Sequence, residues 1–88
     1  MQQEKFKTML AAEHFDEVVT LEREANGSLD NHSHPFEAKA LILDGELRIS
    51  TDAHERVYGP GDIFHLQANV VHSERYGPQG VKYLVGRK

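Results

Sequence analysis

The chain has 88 residues, 39% hydrophobic and 27% charged, which fits one small soluble globular domain and not two. Its net charge of −4 offers no basic footprint for a nucleic acid, and the absence of cysteine removes disulfides, thiolate metal sites and cysteine nucleophiles together. No run approaches the roughly 20 apolar residues of a membrane span, and no apolar stretch follows Met1-Gln2-Gln3-Glu4-Lys5 as it would in a secretory signal. A cytoplasmic protein is expected, with no nucleic-acid or membrane partner.

From Gln3 to about Ala12 the spacing predicts a short helix, because Phe6, Met9 and Leu10 fall at i, i+3 and i+4 on one apolar stripe. About three turns are marginal alone, so the stripe must dock on something larger. From residue 16 the period changes to short strands: Val18–Glu24, Leu29–His34, Ala38–Leu43, Glu46–Thr51, Glu55–Tyr58, Asp62–Gln67, Val70–Tyr76 and Val81–Gly86. The breaks between them carry turn chemistry at Asn26-Gly27, Asp44-Gly45, Gly59-Pro60-Gly61 and Gly77-Pro78-Gln79-Gly80. Asp44-Gly45, flanked by Leu41-Ile42-Leu43 and Leu47/Ile49, predicts a hairpin. The reading is one all-β domain, an antiparallel sandwich or small barrel over residues 16–88, with a helical segment at 1–15.

Six histidines are many for this length. His32 and His34 are two apart, and i and i+2 on a strand project from one face, so both imidazoles can enter one cavity. Two imidazoles so placed are a starting clamp for a divalent transition metal. A single pair of this kind is common by chance, so context has to decide. A third candidate, His72, lies in Val70-Val71-His72-Ser73-Glu74, and a closed sheet can bring it across.

Gly27, His32, His34 and Gly45, followed by Gly61, Gln67, Asn69, His72 and Tyr76, fall in order at two characteristic sets of spacings. In these the chain resembles the cupin superfamily, over roughly residues 16 to 88. The Tyr58-Gly59-Pro60-Gly61-Asp62 segment looks like the turn that opens the second motif of that superfamily. The resemblance implies a double-stranded β-helix, or jelly-roll barrel, with His32, His34 and His72 on one metal. Gly27 is one residue closer to His32 than the pattern asks, and Gln67, Asn69 and Tyr76 replace the usual Pro, Gly and Asn. The position of the usual metal-binding Glu is Ala38; Glu37 beside it points to the opposite face unless a bulge turns it inward.

Three neutral imidazoles would leave the full 2+ charge on the ion and keep positions open for water or substrate. Such a set suits Fe, Zn, Ni or Cu. Relatives with three-histidine iron sites include oxygenases that cleave small diketones or oxidise thiols. Ala38 and Ala40 would leave room beside the ion. Glu74 and Tyr76 share parity with His72. Glu74 is the candidate catalytic residue, as a general base or an acceptor that orients an imidazole, against a place in water at the barrel mouth. Tyr76 is expected to pack, with its hydroxyl at the rim.

His14, His54 and His65 carry no assigned chemistry, with His65 facing away from the cavity. Glu22-Arg23-Glu24 reads as a solvated strand edge. Ala38–Leu43 is apolar on both parities, so Leu41 and Leu43 need cover from the helix or a second subunit, and a homodimer is expected. The expected function is a metal-dependent enzyme of oxygenase, lyase or isomerase type acting on a small polar molecule. The alternatives are a metal- or ligand-binding sensory module without turnover, and an empty dimeric scaffold.

Overall fold

The computed structural model describes residues Met1–Lys88. Phe6 and Leu10 lie one turn apart on α1 (Gln3–Ala12), and both are fully buried, so the predicted stripe is the face that docks. Six strands follow: β1 (Glu17–Arg23), β2 (Ser28–His32), β3 (Ala38–Ser50), β4 (Glu55–Tyr58), β5 (Ile63–Leu66) and β6 (His72–Arg87). All pairings are antiparallel.

Two strands are long and do most of the pairing. β3 and β6 run alongside each other from Ala38↔Arg87 to Ser50↔Ser73. Around one half of this ladder the order is β1, β6, β3, β5; around the other it is β2, β6, β3, β4. The long strands thus pass from one sheet to the other, which is the jelly-roll arrangement expected from the sequence.

This overturns the predicted hairpin at Asp44-Gly45 and the predicted break at Gly77–Gly80. Neither turns the chain back. Each is a corner within a continuous strand, where the β3–β6 register shifts between Ile42 and Asp44 and again between Gly45 and Leu47. Gly45 and Gly80 both take positive φ, at 80° and 76°, and face each other so closely that a Cβ on Gly45 would overlap the Gly80 carbonyl. The glycines that signal a two-residue turn also suit a corner, and the long partner strand decides between them.

Two apolar clusters result. Inside the barrel lie Ala40, Ile42, Leu47, Phe64, Val81 and Val85 with their neighbours. Outside, Phe6, Leu10 and Phe15 cover Leu41 and Leu84, with Met9, Leu43 and Ile63 at the margin. The helix and Phe15 therefore cover Leu41, while Leu43 stays partly buried at the margin. Lys39 clamps this layer by an ion pair to Glu13 at 2.8 Å, and Lys88 Nζ donates to the Glu13 carbonyl at 2.7 Å.

Phe6→Ala should cost about 3–5 kcal/mol, read from urea unfolding, because it empties the centre of the outer cluster. Gly45→Ala should cost more than about 2 kcal/mol in the same assay, since strain at positive φ adds to the clash with Gly80.

Candidate metal centre

His32 and His72 are direct cross-strand partners, the last residue of β2 opposite the first of β6. The next aligned pair is Leu29 opposite Glu74, so β2 carries one extra residue between them. Without this bulge Asn31 would stand opposite His72; with it, His32 does. Their ring centroids are 4.2 Å apart. His34, just beyond the strand, stacks on Phe36 at 4.8 Å and brings its ring to 5.0 Å from His32 and 5.1 Å from His72. Its carbonyl accepts a 2.7 Å hydrogen bond from the Asn69 N–H, and Asn69 takes the positive φ expected of a Gly substitute. One nitrogen from each of the three rings lies within 4.8 Å of the others. The structure brings together all three histidines singled out in the sequence.

Two of these rings are locked by their own backbone. His32 Nδ1 is 2.7 Å from the Asp30 carbonyl, and His72 Nδ1 is 3.0 Å from the Val70 carbonyl. A carbonyl only accepts, so each Nδ1 carries the hydrogen and, in the neutral ring, Nε2 presents a lone pair. Both Nε2 atoms are buried without a hydrogen-bond partner. The pKa of His34 is lowered, first by burial and then by His72 and His32, which favours its neutral, ligating form.

Glu74 completes the group. Its Oε2 is 3.3 Å from both orphaned Nε2 atoms, and its Oε1 accepts from the Tyr76 hydroxyl at 3.4 Å. With His72 at 1% exposure and Glu74 at 8%, this is barrel interior and not a wet mouth. A carboxylate oxygen facing two lone pairs finds nothing attractive among them. A proton on one ring would satisfy two of the three atoms; a cation between them satisfies all three.

Beside the histidines is a cavity of about 60 Å³ bordered by Arg23, His34, Ala38, Glu74, Tyr83 and Arg87. A larger hollow of about 420 Å³ opens beside Arg56, Tyr58 and Leu66, but none of the three histidines borders it. One expectation is extended here and one corrected. Glu22, Arg23 and Glu24 are exposed as expected, but Arg23 also shares strand parity with Leu21, borders the inner cavity, and has its pKa raised first by hydrogen bonding to Tyr83. An inward Leu21 was the signal that could have found it. The Tyr76 hydroxyl does not reach the rim; it turns inward to Glu74, and burial followed by the Glu74 charge pushes its pKa up.

Ala38 faces the cavity, as its parity requires, whereas Glu37 stays on the outer face. There its carboxylate engages His65 and lies 3.9 Å from Lys88 Nζ, so no bulge brings it to the histidines. His65 is turned outward as expected, with Phe15 edge-on to its ring. Glu37→Ala should leave metal affinity within about twofold of the parent in a chelator competition, since ion pairs on the outer face contribute little to the interior.

A family model described as the cupin domain matches residues 18–83. Over 59 residues the chain is 34% identical to quercetin 2,3-dioxygenase of Bacillus subtilis, a match that covers 66% of this chain. The chain spans only 18% of that relative's length. Among solved structures, a protein of unknown function from Rhizobium leguminosarum superposes with a TM-score of 0.76 at 20% identity, covering 80% of this chain and 66% of that one. An RmlC-like cupin from Shewanella frigidimarina gives 0.69 at 20% identity, covering 80% and 62%. A Bacillus subtilis oxalate decarboxylase variant gives 0.70 at 17% identity, covering 81% and 20%. These structural likenesses speak for the fold alone. No helix of the chain is long and apolar enough to cross a membrane.

Proposed function

The chain belongs to the cupin family, and from that premise we propose that it is a metal-dependent enzyme acting on a small polar molecule, with His32, His34 and His72 holding one divalent transition metal. The observation that carries this reading is the pair of buried Nε2 lone pairs, unpartnered and aimed at the same place as the Glu74 oxygen. Fe, Zn, Ni or Cu suits the imidazole donors. When bound, the ion supplies Lewis acidity to an oxygen of the substrate and, if redox-active, a route to oxygen chemistry. The likeness to a dioxygenase supports the oxygenase class among the possible reactions.

The chain's own residues set the rest. The Asp30 and Val70 carbonyls hold two imidazoles in the ligating tautomer. Phe36, Phe64 and Val85 wall the cavity with apolar surface, while Arg23 and Tyr83 present the polar groups that orient a ligand. About 60 Å³ admits a molecule of only a few heavy atoms unless the walls yield. That small volume also favours the second reading, a barrel that holds metal or a small ligand without turnover.

Protein purified without tag or chelator should carry about one divalent metal per chain by elemental analysis. His32→Ala, His34→Ala and His72→Ala should each lose it while keeping the β circular dichroism of the parent, since the apolar clusters are untouched. Parent-like stoichiometry in all three variants would falsify the site. Oxygen uptake with small polar substrates by the loaded parent would mark an oxygenase, and substrate loss without oxygen uptake a lyase or isomerase; neither is expected of a binding module.

A further inference from the structure

The motif position that would supply a carboxylate ligand is occupied by Ala38, yet a carboxylate does reach the three histidines, from another strand. We propose that Glu74 is the fourth protein ligand, its Oε2 binding the ion that His32, His34 and His72 hold. This rests on the metal reading above and adds a donor that neither the motif spacing nor the three-histidine cluster contains.

The distances argue for it. Two donors each about 2.0–2.1 Å from an ion at a tetrahedral angle stand about 3.3–3.4 Å apart. Glu74 Oε2 stands 3.3 Å from His32 Nε2 and 3.3 Å from His72 Nε2. For these two rings the separations match those across a shared ion and are too long for a good N–H···O bond, while the group of ligand atoms within 4.8 Å of one another holds the three histidines alone. Those two Nε2 atoms have no hydrogen-bond partner, Glu74 included.

The support for the carboxylate is equally specific. Tyr76 donates to Oε1, which leaves Oε2 as the free oxygen turned toward the rings. Tyr76 and Glu74 are two residues apart on β6, as are Glu74 and His72, so one strand face carries ligand, ligand and orienting hydroxyl in sequence. Glu74 is buried, and no lysine or arginine lies within ion-pair distance of it. Arg23 borders the same cavity and feels the Glu74 charge, but a buried carboxylate without a direct ion pair is unusual unless a metal serves as one. Two pairs spaced at i and i+2, His32/His34 from β2 and its extension and His72/Glu74 from β6, would then grip the ion from both sides. The net charge at the centre becomes 1+ instead of 2+. That makes the bound ion a weaker acid than three imidazoles alone would leave it.

The test uses Co(II), whose visible absorption reports its donors, added to the metal-free full chain. Affinity is read by chelator competition. Glu74→Gln preserves the shape and an acceptor for Tyr76; it should weaken Co(II) binding by at least about 10-fold and alter the visible spectrum, because a donor is exchanged. Glu74→Asp, which keeps the charge but retracts the oxygen by one methylene, should alter the spectrum as well and covers the case in which the Gln variant does not fold. Unchanged affinity and spectrum in a folded variant overturn the assignment. So does weaker binding with an unchanged spectrum, which would place Glu74 outside the coordination sphere. A parent chain that takes up no Co(II) overturns the metal reading itself, a result distinct from either.

Discussion

Everything in this barrel hangs on the β3–β6 ladder. β1 and β2 pair only with β6, and β4 and β5 only with β3, so each short strand is placed by its position along one of the two long ones. The ladder can serve two sheets only because it bends, and it bends where Gly45 and Gly80 meet without side chains between them. The consequence for the site is direct. His72 and Glu74 lie on the part of β6 that holds β2 and with it His32, while Ala38 lies on the part of β3 beyond the corner. The corner folds one wall of the cavity over the histidines.

The tautomer of each locked histidine is set close to home. In both His32 and His72 the acceptor of Nδ1 is the carbonyl two residues earlier in the chain. The same local device appears at the end of one strand and the start of another. Long-range folding then has only to juxtapose two preformed units, and the cross-strand register does so residue against residue. Orientation of the rings comes from the backbone, convergence from the sheet. Both are set by the chain itself, through carbonyls two residues away and the strand register.

The helix, the all-β class and the three histidines were legible because each leaves a local signature: a 3.6-residue stripe at Phe6 and Leu10, alternation along the strands, and an i, i+2 pair of imidazoles. The corners were not. Asp44-Gly45 has the composition of a hairpin turn, and only the length of its neighbour β6 shows that the strand bends there and continues. Glu74 was visible by parity as a neighbour of His72, but its contact with His32 depends on the extra residue in β2, which the sequence does not mark. Arg23 is exposed like the glutamates on either side of it, and nothing in that charged run marks its second contact, with the cavity. In each miss a long-range partner overrode a sound local preference.

His32 Nε2, His72 Nε2 and the Glu74 carboxylate are a polar cluster inside a chain of only 88 residues. An orphaned buried donor or acceptor costs about 1–3 kcal/mol, and a buried charge more. Here two ring nitrogens and a carboxylate share one point. A small domain has a net stability of only about 5–15 kcal/mol to set against that. The docked helix offsets part of it, with Phe6 and Leu10 fully buried on the outer face of the sheet. An ion that binds the folded chain and not the unfolded one would offset the rest, because the binding free energy is then also folding free energy. On that reading the polar cluster is a cost to the chain without metal and an asset to the chain that holds it.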